Sequence, residues 1–236
     1  MLKTITIDGL DRPVTLARRK GTRSLKIAIK NNGEVRLTVP YGIPEIYAKQ
    51  FLIKKIDWIN QHRPSQQEPL LNGARIGKGH RLQIEKTDAN RQSTRIKDIY
   101  IQVKLPKSLE PTDPEAQTHI IKACEKALLA EATQLLPQRL EMMSKRTGIP
   151  YKSCSVKKLK SRWGACDTHN NISLNIFLIQ LDWTLIDYVI FHELAHTKEH
   201  NHQEPFWALV ETICPDYKKL RRELRSKPTA ILPTFY

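Results

Sequence analysis

His192-Glu193-Leu194-Ala195-His196, followed six residues on by His202, limits what this chain can fold into more than any other stretch. On an α-helix two histidines four residues apart project from one face, about a turn apart. That separation lets two neutral imidazole nitrogens bind one Zn²⁺ at ~2.1 Å each. Glu193, beside the first ligand, can reach a metal-bound water and act as general base. The alternative is a helix with two surface histidines, and the lead-in argues against it. Trp183–Phe191 is apolar enough for a buried helix, with Asp182 as its N-cap. A polar triplet on a buried helix needs partners, and a metal ion supplies them.

The third ligand is a separate inference. His200 continues the four-residue series, but eight residues of helix span about 12 Å, too far for three imidazoles to share one ion. His200 is therefore expected to be solvated. His202 becomes available if the helix stops near Asn201, a residue that tolerates the left-handed conformation at a helix end. Pro205 would then open a new helix, from Phe206 to about Arg225. The rival ligand is Glu211 on that helix. The expected cofactor is one Zn²⁺ per chain.

Before this half lies a basic, β-rich one. Ser24–Lys30 and Glu34–Val39 alternate apolar with polar around Asn31-Asn32-Gly33, which predicts a hairpin. Pro44 opens a helix expected to reach about His62, with Ile46, Phe51, Leu52, Ile56 and Ile59 on its apolar side. Ser65–Pro69 reads as a loop, and strands follow at His80–Lys86 and Ile96–Leu105. Arg12, Arg18, Arg19, Lys20, Arg23 and Lys26 form a charge run within a chain of net charge +15. Such a run is either a solvated face or a guide for an anionic partner, nucleic acid included. Aromatic residues are not interleaved with it, which argues against single-strand binding by base stacking.

The three prolines of Leu105–Pro114 mark the expected boundary: a β-rich region 1–105 with one helix, a connector 106–114, and a second domain 115–236. Thr112 or Asp113 would cap the next helix, running to about Arg146, and Pro137 would kink or split it. Four scattered cysteines without a C-x-x-C pair read as reduced thiols. The first residues lack the apolar core of a signal peptide, and nowhere do eighteen apolar residues run together. The expected setting is cytoplasmic, with no membrane partner.

Ser153–Leu159 and Asn171–Ile176 read as strands joined through Ser161-Arg162-Trp163-Gly164-Ala165-Cys166. A strand beside the metal helix could pair with an extended substrate segment. Gly164 would allow close backbone approach, and Arg162 could hold an anionic group or a local carboxylate.

Ser161–Cys166, Asn171–Asn175, Asp187–His196, Asn201-His202, Phe206-Trp207 and Pro215-Asp216-Tyr217 together resemble the YgjP-like metallopeptidase-domain family. Arg23–Pro40, Asp57-Trp58-Ile59 and Gly77–Leu82 extend the resemblance over most of the chain, and Ala165 stands where the family usually has Ser. The resemblance implies an α+β fold: a β-rich N-terminal part, then a zincin-like helical half related to SprT-like proteases, with a small antiparallel sheet beside the H-E-x-x-H helix. It also implies His192, His196 and His202 as zinc ligands and Glu193 as the catalytic residue. The long spacing to His202 is similar to that of metzincins, but Lys198 and Glu199 occupy the region of their glycine.

The function expected is zinc-dependent peptide hydrolysis with Glu193 as base and a polypeptide as substrate. Arg162 and Tyr188 are candidates for contacting substrate, and Asn175 for supporting the site. Two alternatives belong to other classes. One is a nucleotide (UTP-type) pyrophosphatase, against which stands the lack of a P-loop or a Mg²⁺-binding carboxylate cluster. The other is a non-catalytic nucleic-acid-binding protein with structural zinc, which would call for a fourth protein ligand.

Overall fold

A computed structural model of the chain describes residues 2–10, 13–29, 33–62, 68–227 and 229. Their contacts divide into two compact units, Met1–Glu68 and Pro69–Tyr236.

The first unit is a four-stranded sheet of β1 (Leu2–Ile5), β2 (Val14–Arg19), β3 (Lys26–Ile29) and β4 (Val35–Pro40), ordered β1-β2-β4-β3. The β3–β4 pair is antiparallel, as the alternation predicts, with Lys26 opposite Thr38. Asn31 and Asn32 of its turn lie outside the described residues, as do Arg12 of the charge run and Ser65–Gln67 of the expected loop. Val35, Leu37 and Val39 are buried on one face. The single helix expected from Pro44 is two, α1 (Glu45–Ile53) and α2 (Ile56–His62). The Lys55 N–H donates back three residues, to the Leu52 carbonyl, and the helix does not continue through it. Ala48 and Leu52, four apart, form the inward face of α1, and Ile46 points to solvent, contrary to the expected apolar side. Part of the charge run is structural: Arg18 Nη1 donates to the Ile43 carbonyl at 2.9 Å.

The second unit opens with another four-stranded sheet: β5 (Arg75–Ile76), β6 (His80–Thr87), β7 (Ser93–Lys97) and β8 (Tyr100–Pro106), ordered β5-β6-β8-β7. The expected strand Ile96–Leu105 is instead a hairpin that turns at Asp98-Ile99, with Asp98 left-handed at φ 52°. The sheet packs on α3 (Pro114–Thr147), and Leu82, Ile101, Val103 and Leu105 share a core with Ala116, Ile120 and Cys124. The stretch expected as an interdomain connector, 106–114, therefore lies inside the second unit. A buried carboxylate helps to close this contact. Glu131 of α3 accepts the Lys78 N–H at 2.7 Å and faces His80 Nδ1 at 3.1 Å, against the β5–β6 turn. A Cβ at Gly77, which is left-handed at φ 67°, would run into that carboxylate.

α3 continues through Pro137 as one helix, so the expected split does not occur. The carbonyl deprived of its partner belongs to Thr133, which is exposed and open to water. The other side of α3 carries the site. A three-stranded sheet of β9 (Ser153–Lys157), β10 (Gly164–Cys166) and β11 (Asn171–Asn175), ordered β10-β11-β9, leads through a 3₁₀ turn, Ile176–Gln180, into α4 (Trp183–His196). β10 and β11 pair antiparallel, as expected, whereas β9 joins β11 in parallel, so the sheet is mixed. Arg139 of α3 clamps α4 through two hydrogen bonds of 2.6 Å to Asp187. α5 (Glu204–Ile213) and α6 (Tyr217–Arg225) follow as separate helices where one was expected. Pro215 explains the break: it excludes the helical conformation from Cys214, which sits at φ −146°, ψ 79°. All four cysteines are free thiols. Among the described residues no helix is long and apolar enough to cross a membrane.

Candidate active site

The apolar face of α4 enters the core through Leu185, Ile186, Val189, Ile190 and Leu194, so its motif residues have fixed directions. α4 ends at His196, a turn earlier than expected. The Thr197 hydroxyl donates to the Leu194 carbonyl at 2.9 Å, and the Glu199 carbonyl faces His196 Nδ1 at 3.1 Å. That second contact makes Nδ1 the protonated nitrogen of His196 and leaves Nε2 as a free lone pair. Asn201 has no left-handed backbone. Its side chain instead accepts the Gln203 N–H at 3.1 Å, turning the chain back towards α5.

This turn returns His202 to the helix. One nitrogen from each of His192, His196 and His202 lies within 4.8 Å of the others, and no other such histidine, cysteine or carboxylate cluster occurs among the described residues. His192 Nε2 and His202 Nε2 are 3.1 Å apart. Two nitrogens bound at ~2.1 Å to a tetrahedral ion would stand about 3.4 Å apart, so the spacing fits a shared metal. The Nδ1 of His192 is buried without a hydrogen-bond partner. Burial, reinforced by the two neighbouring imidazoles, lowers the pKa of His192 to about 3 and keeps the ring neutral. Burial likewise lowers the pKa of His196. Converging imidazoles, with burial favouring the neutral form of His192 and His196, are a donor set that suits zinc.

Phe206 of α5 forms the floor, fully buried with its ring 4.5–5.0 Å from all three imidazoles. Trp207 fixes the His202 loop by donating its indole N–H to the His202 carbonyl at 3.0 Å. Glu211 stands elsewhere: exposed on α5 and paired with Lys218 at 3.1 Å, it is outside the cluster.

Glu193 is 5% exposed, and burial raises its carboxyl pKa to about 8, against a smaller opposing pull from Arg162. Gly164 of β10 permits this position. A Cβ there would come within 2.7 Å of both Cγ and Oε1 of Glu193. The close approach expected of Gly164 is thus an approach to Glu193, a partner no local pattern identifies.

These groups open into a cavity of about 530 Å³, lined also by Arg162, Trp163, Ala165, Cys166, Tyr188, Val189, His200, His202 and Leu224. Arg162 and Tyr188, the candidates for contacting substrate, both line this cavity. Burial holds the Tyr188 phenol protonated, with its pKa raised to about 12. Asn175 is placed differently. Fully buried, it donates to the Leu159 and Arg162 carbonyls at 3.0 and 2.7 Å and accepts the Phe177 N–H at 3.2 Å. It holds the loop that presents Arg162 and does not line the cavity. His200, expected to be solvated, is exposed but lines the cavity, because the early end of α4 brings its segment around the site.

No curated protein matches the chain. The solved structures that resemble part of it include two metallopeptidase zymogens. Pyrococcus abyssi abylysin is 22% identical, with 39% of this chain and 93% of that one covered and a TM-score of 0.36. Methanocaldococcus jannaschii jannalysin is 20% identical, with 38% and 96% covered and a TM-score of 0.32. The model of the YgjP-like metallopeptidase domain matches residues 23–227, nearly the whole chain, and the protein belongs to that family.

Proposed function

We propose that this protein is a zinc metallopeptidase that holds one Zn²⁺ through His192, His196 and His202 and hydrolyses polypeptide with Glu193 as general base. The observation that carries this reading is the convergence of three imidazoles beside a buried carboxyl on one cavity. Bound zinc supplies a Lewis acid and a water acidic enough to ionise near neutral pH.

The chain's own residues do the rest. Glu193 in its ionised form accepts the proton and can return it to the leaving amine; burial raises its proton affinity, and the charge of bound zinc would oppose that rise. Gly164 leaves the room in which that carboxyl sits. Tyr188 and Arg162 are the groups available to donate hydrogen bonds to the polarised carbonyl oxygen. The edge strand β10 offers an extended substrate backbone a place to pair along the cavity.

A structural zinc site would be closed by a fourth protein ligand. Among the described residues only the three histidines converge, which favours an open, catalytic site. The test is zinc per chain by elemental analysis after metal dialysis, for the wild type beside His202→Ala and Glu211→Ala. One zinc in wild type and Glu211→Ala, lost in His202→Ala, is expected. Peptide cleavage that disappears in Glu193→Gln completes the assignment. No zinc in the reloaded wild type would refute it.

A further inference from the structure

Glu193 is the one carboxyl group among the residues lining the cavity and Arg162 the one arginine; a second arginine, Arg221, stands on the helix that contributes Leu224 to that lining. Arg162 forms part of the lining just before β10, with its side chain exposed. α6 reaches the cavity through Leu224, and Arg221 lies three residues before it on the same helical face. The Arg221 guanidinium is held by stacking, 4.3 Å from the centre of the Trp207 ring. That ring lies 5.6 Å from His202 and 6.0 Å from His192.

Among the described residues, neither Arg162 nor Arg221 forms an ion pair with a carboxylate, whereas Arg139 is matched by both oxygens of Asp187. A guanidinium is a planar fork suited to a carboxylate, and a concave site with unmatched cations attracts an anion. Phosphate is the poorer fit, because the lining includes no glycine-rich run of backbone amides to cradle it.

We propose that the cavity selects polypeptide segments carrying an Asp or Glu side chain close to the cleaved bond, received by Arg162 and by Arg221 of α6. This inference rests on the metallopeptidase reading and adds its substrate preference.

The test uses the zinc-loaded full chain and peptides with amidated C-termini that differ only by Asp/Asn, Glu/Gln or Lys near the scissile bond. An acidic residue is expected to raise kcat/KM about 10–100-fold over its amide, mainly through KM. Arg162→Glu and Arg221→Glu should each reduce that ratio, and together invert it in favour of Lys. In Glu193→Gln, fluorescence anisotropy should give tighter binding of the acidic peptide, weakening with salt. Cleavage without an acid-over-amide preference overturns the inference alone, as does a preference that survives both charge reversals. A preference seen only with a free C-terminus also overturns it, as does an oligonucleotide that displaces the peptides while the preference is absent. If no peptide is cleaved by wild type or bound by Glu193→Gln, the peptidase reading falls and this inference with it.

Discussion

In the metal-free fold, burial raises the proton affinity of Glu193, and this makes the stability of that fold depend on pH. Its pKa, about 8 in the folded chain, lies above the ordinary 4.5, so the folded state binds more protons than the unfolded one between those values. The contribution to stability is complete below about pH 4.5 and is lost as pH rises through about 8. In chelator-treated protein, the stability of wild type relative to Glu193→Gln should therefore fall by roughly 3–5 kcal/mol from pH 4.5 to 8.5, at 1.36 kcal/mol per pKa unit. Urea unfolding at several pH values measures this, and a difference independent of pH would contradict the assigned burial. With zinc restored, Glu193→Gln should keep the metal and lose about 10²–10⁴-fold in kcat, the size of a general-base contribution. Gly164→Ala is the companion experiment. Its added methyl meets Glu193 at 2.7 Å, so zinc content should be unchanged and kcat/KM should drop about 10²-fold. The four-residue histidine spacing was legible in the sequence because helix geometry alone makes those rings neighbours. The Gly164–Glu193 contact was not, because it depends on how β10 lies against α4.

At the scale of elements, the site depends on how α4 ends and what catches the chain afterwards. Thr197, Glu199 and Asn201 turn the chain back through hydrogen bonds, and Trp207 then fastens the His202 carbonyl to α5. Trp207→Phe keeps most of the aromatic packing and deletes that single bond. Zinc affinity, read by competition with a chromophoric chelator, should weaken about tenfold, as for other partners that orient a metal ligand. An unchanged affinity would show that Phe206 alone positions His202. Asn175 does comparable work on the other wall. Asn175→Ala leaves the Phe177 N–H and two loop carbonyls without their partner, at about 1–3 kcal/mol for a buried polar group. The loss should appear in thermal unfolding and in KM, because the released loop carries Arg162. Element boundaries were readable where the chain states them locally. Pro205 opens α5 as expected, and Pro215 carried the signal for the break before α6, although the apolar and basic pattern runs on through it. The turn at Asp98-Ile99 has neither Gly nor Pro, and its signal is only the change of apolar parity from Ile96 to Ile99, Ile101 and Val103, beside an Asp that tolerates the left-handed backbone.

Over the whole molecule, the proline-rich stretch before α3 suggested a boundary at 106–114, and the apolar contacts place the division elsewhere. Among the described residues, the hydrophobic cluster of Leu37, Leu52 and Ile59 ends at Ile59, whereas the one containing α3 and α4 begins at Leu70. The prolines mark only a turn into a helix; which sheet that helix covers depends on contacts far apart in sequence. Each unit thus has its own hydrophobic cluster, and the β5–β8 sheet belongs with the metal site. We propose on this basis that a fragment of residues 69–236 folds cooperatively and binds one zinc, whereas 115–236 does not. The shorter fragment would strip from α3 the side chains of Leu70, Ile76, Leu82, Ile101, Val103 and Leu105, all buried. At about 1.5–3 kcal/mol for each fully buried aliphatic side chain, that loss is as large as the roughly 5–15 kcal/mol by which a domain of this size is stable. It would also remove from Glu131 the Lys78 N–H and the His80 ring that face its carboxyl group. Circular dichroism melts and zinc content of the two fragments decide the matter. A sharp transition with one zinc in 69–236 and a broad, zinc-poor one in 115–236 is the expected pair. A cooperative, zinc-loaded 115–236 would mean that the site needs only the strands and helices after the prolines, and that the β5–β8 sheet stabilises α3 without being required for it.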